Sequence, residues 1–171
     1  MNLTTERLYM RPYKPGDEDF LQSMLSHPKM MQYIGDGKVK DQEGMKAFLH
    51  WIYDTYEQNP DLGLHVILRK EDDAKIGHAG IVPQRIDHVE ELELGYWIDQ
   101  RYWKNGYATE AAAALVNIAF QQFHLDKLIA LIQPGNEGSI SVANRAGMEF
   151  EKEIQLEAKK VLVYSMSKRF R

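Results

Sequence analysis

Between Leu62 and Ile132 the chain passes from strand-like runs to a long helix and back to a strand, and this order limits the fold more than any other feature. Leu62–Arg69, Lys75–Val82 and Glu91–Ile98 are apolar-rich runs separated by a polar turn at Lys70–Ala74 and by Pro83 with the polar loop after it. Short connections of this kind predict an antiparallel meander. Asn105–Phe123 then shows helical spacing through Ala108, Ala111, Ala112, Leu115, Ile118, Ala119 and Phe123. Lys127–Ile132 returns to a compact apolar strand. A strand that runs through a helix into the next strand makes a crossover, so that pair is expected to be parallel.

The flanks fit the same plan. Leu3–Tyr13 reads as a strand, and Pro15-Gly16-Asp17 as a turn whose Asp17 caps a short helix reaching Leu25, with Pro28 as its stop. Asp41–Tyr56 has helical spacing, and Asn59-Pro60 ends it. Glu137–Ala146 reads as a short helix closed by Gly147 in a left-handed cap, and Phe150–Leu156 with Lys160–Ser167 as a final hairpin. The expected fold is α/β: a central, mixed but mostly antiparallel sheet of about seven strands flanked by about four helices, in one domain.

Composition narrows the function. The 171 residues carry 25 acidic and 21 basic side chains, a formal net charge of −4, which does not suggest an electrostatic nucleic-acid binder. There is no cysteine, so a catalytic thiol, a Cys-based zinc site and a disulfide framework are all excluded. The sequence shows no signal-peptide core and no apolar run of membrane-spanning length. A cytoplasmic protein is expected, without metal, membrane or nucleic-acid partner, as a monomer or homodimer.

The chemistry concentrates between Glu93 and Ala111, where a strand leads through a glycine-containing turn into the long helix. First-turn helix amides lack internal partners and carry partial positive charge, so a phosphate can accept their hydrogen bonds. Gly106 admits close approach, Ala108 stays small, and Lys104 offers a cation. The same residues also fit a plain strand-to-helix turn. Gly95, inside an otherwise good strand, points to a bulge that would free backbone groups for an extended amide-bearing ligand such as pantetheine. It equally fits simple relief of crowding beside Tyr96 and Trp97. The phosphate-loop pattern G-x-x-x-x-G-K-[ST] and the dinucleotide fingerprint G-x-G-x-x-G are both missing.

The run Tyr-Trp-Lys-Asn-Gly-Tyr-Ala-Thr-Glu-Ala at 102–111 resembles the acetyl-CoA signature of the GNAT superfamily, and more narrowly its ribosomal-protein-alanine N-acetyltransferase branch. Thr5–Tyr13, Ile76-Gly77-His78-Ala79-Gly80-Ile81 and Asn136–Met148 resemble further segments of that branch, in order along the chain. The resemblance implies an acetyl-CoA-dependent transfer to an amine, either a peptide N-terminus or a small molecule. It implies backbone contacts to pantetheine from Tyr96, Trp97 and Ile98. It implies pyrophosphate contacts from Lys104, Asn105, Gly106, Tyr107, Ala108 and Thr109. It places Asn136 on the pantetheine arm and Ser139 near the thiol. Departures include Lys104-Asn105 where Gly-Lys is usual, Met148 where Phe is usual, and Asn144-Arg145 in place of Glu-Lys.

Direct acetyl transfer needs a base, a polarised thioester carbonyl and an acid for the departing thiolate. Glu93 is the first candidate base, with Glu153 and Glu157 as alternatives, while His78 reads as structural. A backbone amide of Trp97 or Ile98 is the candidate donor to the thioester oxygen. Ser139 and Tyr164 compete as acid. Met30, Met31, Tyr33, Trp51 and Tyr56 are candidates for the acceptor wall or for core, and Arg11 is either an inward charge or an edge cation. A non-catalytic acyl-CoA-binding or sensory module is the competing function class.

Overall fold

The structure is a computed structural model describing residues 1–168. In chain order the elements are β1 (Leu3–Thr4), β2 (Leu8–Pro12), α1 (Glu18–Leu25), α2 (Pro28–Met31), α3 (Gln42–Gln58), β3 (Gly63–Arg69), β4 (Ala74–Ile86), β5 (Val89–Ile98), α4 (Tyr107–Gln121), β6 (Lys127–Ile132), α5 (Glu137–Arg145), β7 (Glu149–Leu156) and β8 (Lys159–Ser167). A 3-10 turn, Gln100–Tyr102, joins β5 to the approach of α4.

They form one eight-stranded sheet in the order β1-β2-β3-β4-β5-β6-β8-β7. Every neighbouring pair is antiparallel except β5 and β6. That parallel pair flanks the α4 crossover, as the change of period predicts. α4 and α5 cover one face over a core that includes Ile81, Leu94, Tyr96, Leu115 and Leu128. α1–α3 cover the other face over Leu21, Met24, Ile52, Val66 and Val82.

Three elements differ from the sequence expectation. The opening strand breaks in two because Thr5 closes a turn locally: its Oγ1 accepts from the Leu8 N–H (3.1 Å) and its N–H donates to the Leu8 carbonyl (2.9 Å). Pro28 starts a helix instead of only ending one, since a missing N–H costs nothing at the first helical position, where His27 Nδ1 accepts from the Lys29 N–H. β4 runs past Pro83 to Ile86. Pro83 stands opposite Leu92, where the ladder calls for no N–H from it, and β3 has already ended at Gly63 on its other side. Asp17 also departs from its expected role as a side-chain cap. Its buried carboxylate instead accepts from both terminal nitrogens of Arg11 (2.8 and 3.0 Å), from Lys75 (2.7 Å) and from the Lys14 N–H (2.9 Å). Burial opposes its charge, but these donors outweigh burial and hold it at about 2. Arg11 is therefore the inward charge.

Gly147 takes the left-handed cap expected of it, with φ 97° and the Met148 N–H bonded to the Ala143 carbonyl. Gly77 and Gly80 serve a different purpose. A Cβ at Gly77 would stand 2.1 Å from the Trp97 carbonyl oxygen, and one at Gly80 would stand 2.0 Å from that of Gly63. The strands close only because these positions carry no side chain. Gly80→Ala is expected to cost about 3 kcal/mol in urea denaturation, the scale of overpacking against backbone that cannot yield. A variant as stable as the parent would show that β3 and β4 can separate freely.

Candidate active site

β5 pairs with β4 along its whole length, from Val89↔Ile86 to Ile98↔Gly77, with no register shift at Gly95. The expected bulge is therefore not there. Backbone groups become free by another route. β6 meets β5 in one parallel bridge, Glu93↔Ile129, and the two strands then diverge. The Asp99 N–H bonds the Ile76 carbonyl (2.8 Å), which fixes the phase of the ladder. Antiparallel bonds join directly opposed residues and alternate along the strand. Trp97 and Gly95 therefore spend their N–H and C=O groups on His78 and Gly80, while those of Tyr96 and Ile98 face the gap left by β6. The Ile98 carbonyl there accepts from the indole N–H of Trp103 (2.6 Å). Its N–H and both backbone groups of Tyr96 remain directed into the gap.

The turn beyond β5 presents a run of unpartnered amides. Gly106 is the N-cap of α4 with φ 79°, and its carbonyl takes the first helical bond, from the Glu110 N–H (3.0 Å). Lys104 is also left-handed, at φ 64°. It occupies the position where the resemblance expects glycine, so a lysine here accepts a backbone conformation that glycine adopts freely. Asn105 Nδ2 ties the turn to the carbonyls of Tyr102 (3.0 Å) and Trp103 (3.1 Å). Among the described residues, the N–H groups of Lys104, Asn105, Gly106, Tyr107, Ala108 and Thr109 have no protein acceptor. Successive amides in a turn of alternating hand make a concave anion site, and the helix dipole adds to it.

A third set of contacts frames this loop and was not legible in the sequence. Glu110, in the first turn of α4, accepts from Thr5 Oγ1 (2.6 Å), from the Arg7 N–H (2.9 Å) and from Arg7 Nε (2.7 Å). Arg7 Nη1 donates to the Asn105 carbonyl (2.9 Å), and the guanidinium lies 4.4 Å from the Tyr107 ring centre. Burial raises Glu110, but the Thr5 and Arg7 hydrogen bonds outweigh it and hold the carboxyl below its ordinary value.

Beyond the loop, Asn136 is the N-cap of α5: its Oδ1 accepts from the Ser139 N–H (3.2 Å) and its Nδ2 donates to Ser139 Oγ (3.0 Å). Tyr96 reaches across the gap and donates its hydroxyl proton to the Ser139 carbonyl (2.8 Å). Tyr96 lies within electrostatic reach of Glu93 and of Tyr164, a buried residue of β8 opposite Ala130. Tyr96, Ser139 and Tyr164 thus lie together on the α4–α5 side of the splay, while Glu93, three residues before Tyr96 on the same strand, stands on the face shared with Val82 and Trp97. Glu93 keeps slight exposure, but it is enclosed between Val82 and Ile129 on the neighbouring strands. Burial raises its carboxyl to about 7 against the opposing hydrogen bond from Gln84 Nε2 (3.1 Å). Glu153 and Glu157 are exposed on β7 and its turn.

On the α3 side, His78 is fully buried in a cluster with Phe48 (6.1 Å, parallel) and Trp97 (4.6 Å), with Nδ1 2.6 Å from the Tyr13 hydroxyl. Burial lowers it to about 3, so it is neutral and structural. Met30 and Met31 are core. Tyr56 is a hydrogen-bonding strut that donates to the Leu64 carbonyl and accepts from the Tyr13 N–H. Trp51 is exposed and packs on Phe48. Tyr33 lies beside Gly135, and Gln133 Nε2 donates to the Gly35 carbonyl (2.8 Å), which brings the Tyr33–Gly37 loop against the entry of α5. No helix among the described residues is long and apolar enough to cross a membrane, and no cluster of three metal-binding side chains occurs among them.

The sequence matches the profile of the Acetyltransferase (GNAT) domain over residues 7–149. It is 34% identical over 152 residues to the uncharacterized N-acetyltransferase YnaD of Bacillus subtilis (strain 168), covering 88% of this chain and 84% of that one. The acetyltransferase from Agrobacterium tumefaciens str. C58 superposes with a TM-score of 0.83 at 26% identity, covering 98% of this chain and 95% of that one. The chain therefore belongs to the GNAT acetyltransferase family. At lower identity, 14%, the fold also matches spermidine N-acetyltransferase from Vibrio cholerae in complex with CoA and spermine, with a TM-score of 0.76, covering 95% of this chain and 96% of that one. Ribosomal-protein acetyltransferases match at TM-scores of 0.74 to 0.79. No one branch of the family stands out from the others.

The Glu93 carboxyl makes stability depend on pH in a definite direction. Its folded value, about 7, lies above its ordinary 4.5. The folded state favours the neutral acid, so its stabilising contribution is full at low pH and is lost as pH rises through about 7. Glu93→Gln, which stays neutral, is expected to flatten the decline in unfolding free energy between about pH 5 and pH 8. Parallel curves for the two proteins would mean that the carboxyl is not held in this environment.

Proposed function

We propose that this protein transfers an acetyl group from acetyl-CoA directly to a primary amine. The observation that supports this most is the run of unpartnered amides from Lys104 to Thr109 directly after the free edge of β5. A diphosphate fits the first feature and an amide-bearing arm fits the second, in the order in which CoA carries them. The pantetheine is read as lying along Tyr96 and Ile98, with the free N–H of Asn136 Nδ2 beside it. Trp97 serves through its ring, which closes the α3 side, because its own N–H belongs to the ladder. The amine acceptor is read as entering between the Tyr33–Gly37 loop, α3 and the β7–β8 hairpin, in a cytoplasmic setting. The ribosomal-protein-alanine branch suggested by the motifs makes a peptide terminus the first acceptor to try, and the spermidine enzyme's fold makes a polyamine the second.

In this reading Glu93, through a water, takes the proton that the amine gives up as nitrogen attacks the thioester carbon. The outward N–H of Ile98 or Tyr96 donates to the carbonyl oxygen as charge develops there. As the carbon–sulfur bond breaks, Tyr164 or Ser139 returns a proton to sulfur. A base at about 7 is half ionised near neutrality, which suits general-base work.

Two measurements test this. Calorimetry is expected to show CoA binding to the parent protein and none to Gly106→Val, because valine does not tolerate φ 79° and so cannot hold the loop's amides in place. Undiminished binding by the variant would remove the anion site. With an accepted amine, kcat/KM is expected to rise through about pH 7, and Glu93→Gln to lower kcat about 100-fold and abolish that limb. An unchanged pH profile would take Glu93 out of the mechanism, and the absence of thiol release with every amine in a panel would favour the non-catalytic module.

A further inference from the structure

We propose that Arg7 and Glu110 form a brace that holds the pyrophosphate loop in its binding shape, with Arg7 as a positioning residue for the cofactor; this rests on the acetyl-CoA reading above. Two contacts carry the Arg7 half of the inference. Arg7 Nη1 holds the Asn105 carbonyl at 2.9 Å. That carbonyl shares a planar peptide with the Gly106 N–H, and the two point in opposite directions. Fixing the oxygen toward Arg7 therefore aims the Gly106 N–H away from it, on the side where an anion would sit. Arg7 Nη2 is also the one group a Cβ on Gly106 would meet, at a contact distance of 3.4 Å, so the guanidinium lies behind Gly106.

Glu110 supplies the other half. A carboxylate in the first turn of a helix is itself an anion at the positive end of the dipole, and a free one would compete with a phosphate for the same amides. Here Thr5 and Arg7 take both of its oxygens and turn it toward the β1–β2 turn. The Thr5-Glu6-Arg7 segment thereby gains a role that the strand reading did not give it. It neutralises the rival acid and sets the loop at once. Only a forked side chain reaches Glu110 and the Asn105 carbonyl together, so lysine is not an equivalent.

The test compares CoA with pantetheine, which has the amide arm and no diphosphate, by direct and competition calorimetry. Arg7→Ala and Arg7→Lys are each expected to weaken CoA roughly tenfold, the scale of a lost hydrogen bond to a charged group, and to leave pantetheine unchanged. Glu110→Gln, with its fold checked by thermal melting, is expected to shift CoA affinity in the same direction and serves if an Arg7 variant fails to fold. Full affinity in Arg7→Lys would show that only the positive charge matters, and equal losses for CoA and pantetheine would show a general collapse of the cleft. Either result, or unchanged CoA affinity in Arg7→Ala, overturns the brace. A parent protein that binds no CoA overturns the cofactor reading itself, a result distinct from CoA binding that ignores Arg7.

Discussion

A backbone N–H needs an acceptor, and the divergence of β5 from β6 after one bridge leaves those of Tyr96 and Ile98 without one among the described residues. The rest of the structure serves that gap. The ladder with β4 spends every second residue of β5 and points the alternate ones outward. The 3-10 turn and the left-handed Lys104 and Gly106 carry the chain from the gap to α4 with its amides turned inward. Tyr96 and Asn136 tie α5 to the far side. Alanines at 111, 112 and 119 are fully buried, which lets α4 sit close to the sheet and sets its first turn level with the end of β5.

Two enclosed carboxylates show how surroundings set the use of one chemical group. Asp17 has Arg11, Lys75 and a backbone N–H as donors, so it stays ionised to about 2 and locks β2, β4 and the start of α1 together. Glu93 has one neutral donor, Gln84, and burial dominates, which raises it to about 7. The first is fixed in one state across the physiological range. The second changes state within it, at the place where the strands part. His78 makes the complementary point: deep burial against two aromatic rings leaves an imidazole that is neutral across the physiological range.

The β3–β5 meander, the parallel pair and the final hairpin were legible because hydrophobic period and connection length act locally, whereas the insertion of β8 between β6 and β7 was not. The helix entry at Gly106 was legible for the same reason. The glycine at 95 pointed to free backbone groups of β5 but to the wrong cause, since strand divergence depends on how β6 packs against β8 and α4, which lies outside any short window. The role of Asp17 was missed because its partners arrive from two other strands. Local spacing also left the indole of Trp103 and the left-handed Lys104 unread. The union of Arg7 with Glu110 joins residues 103 positions apart. A conspicuous Thr-Glu-Arg run at the start and an acid in the first turn of α4 were its only traces.

Diffraction from crystals grown with CoA would test the central claim most directly. The account predicts diphosphate density against the amides of residues 104–109, with the pantetheine amides paired to the outward groups of Tyr96 and Ile98. A helix entry closed by protein side chains, or CoA bound on another face of the sheet, would contradict it.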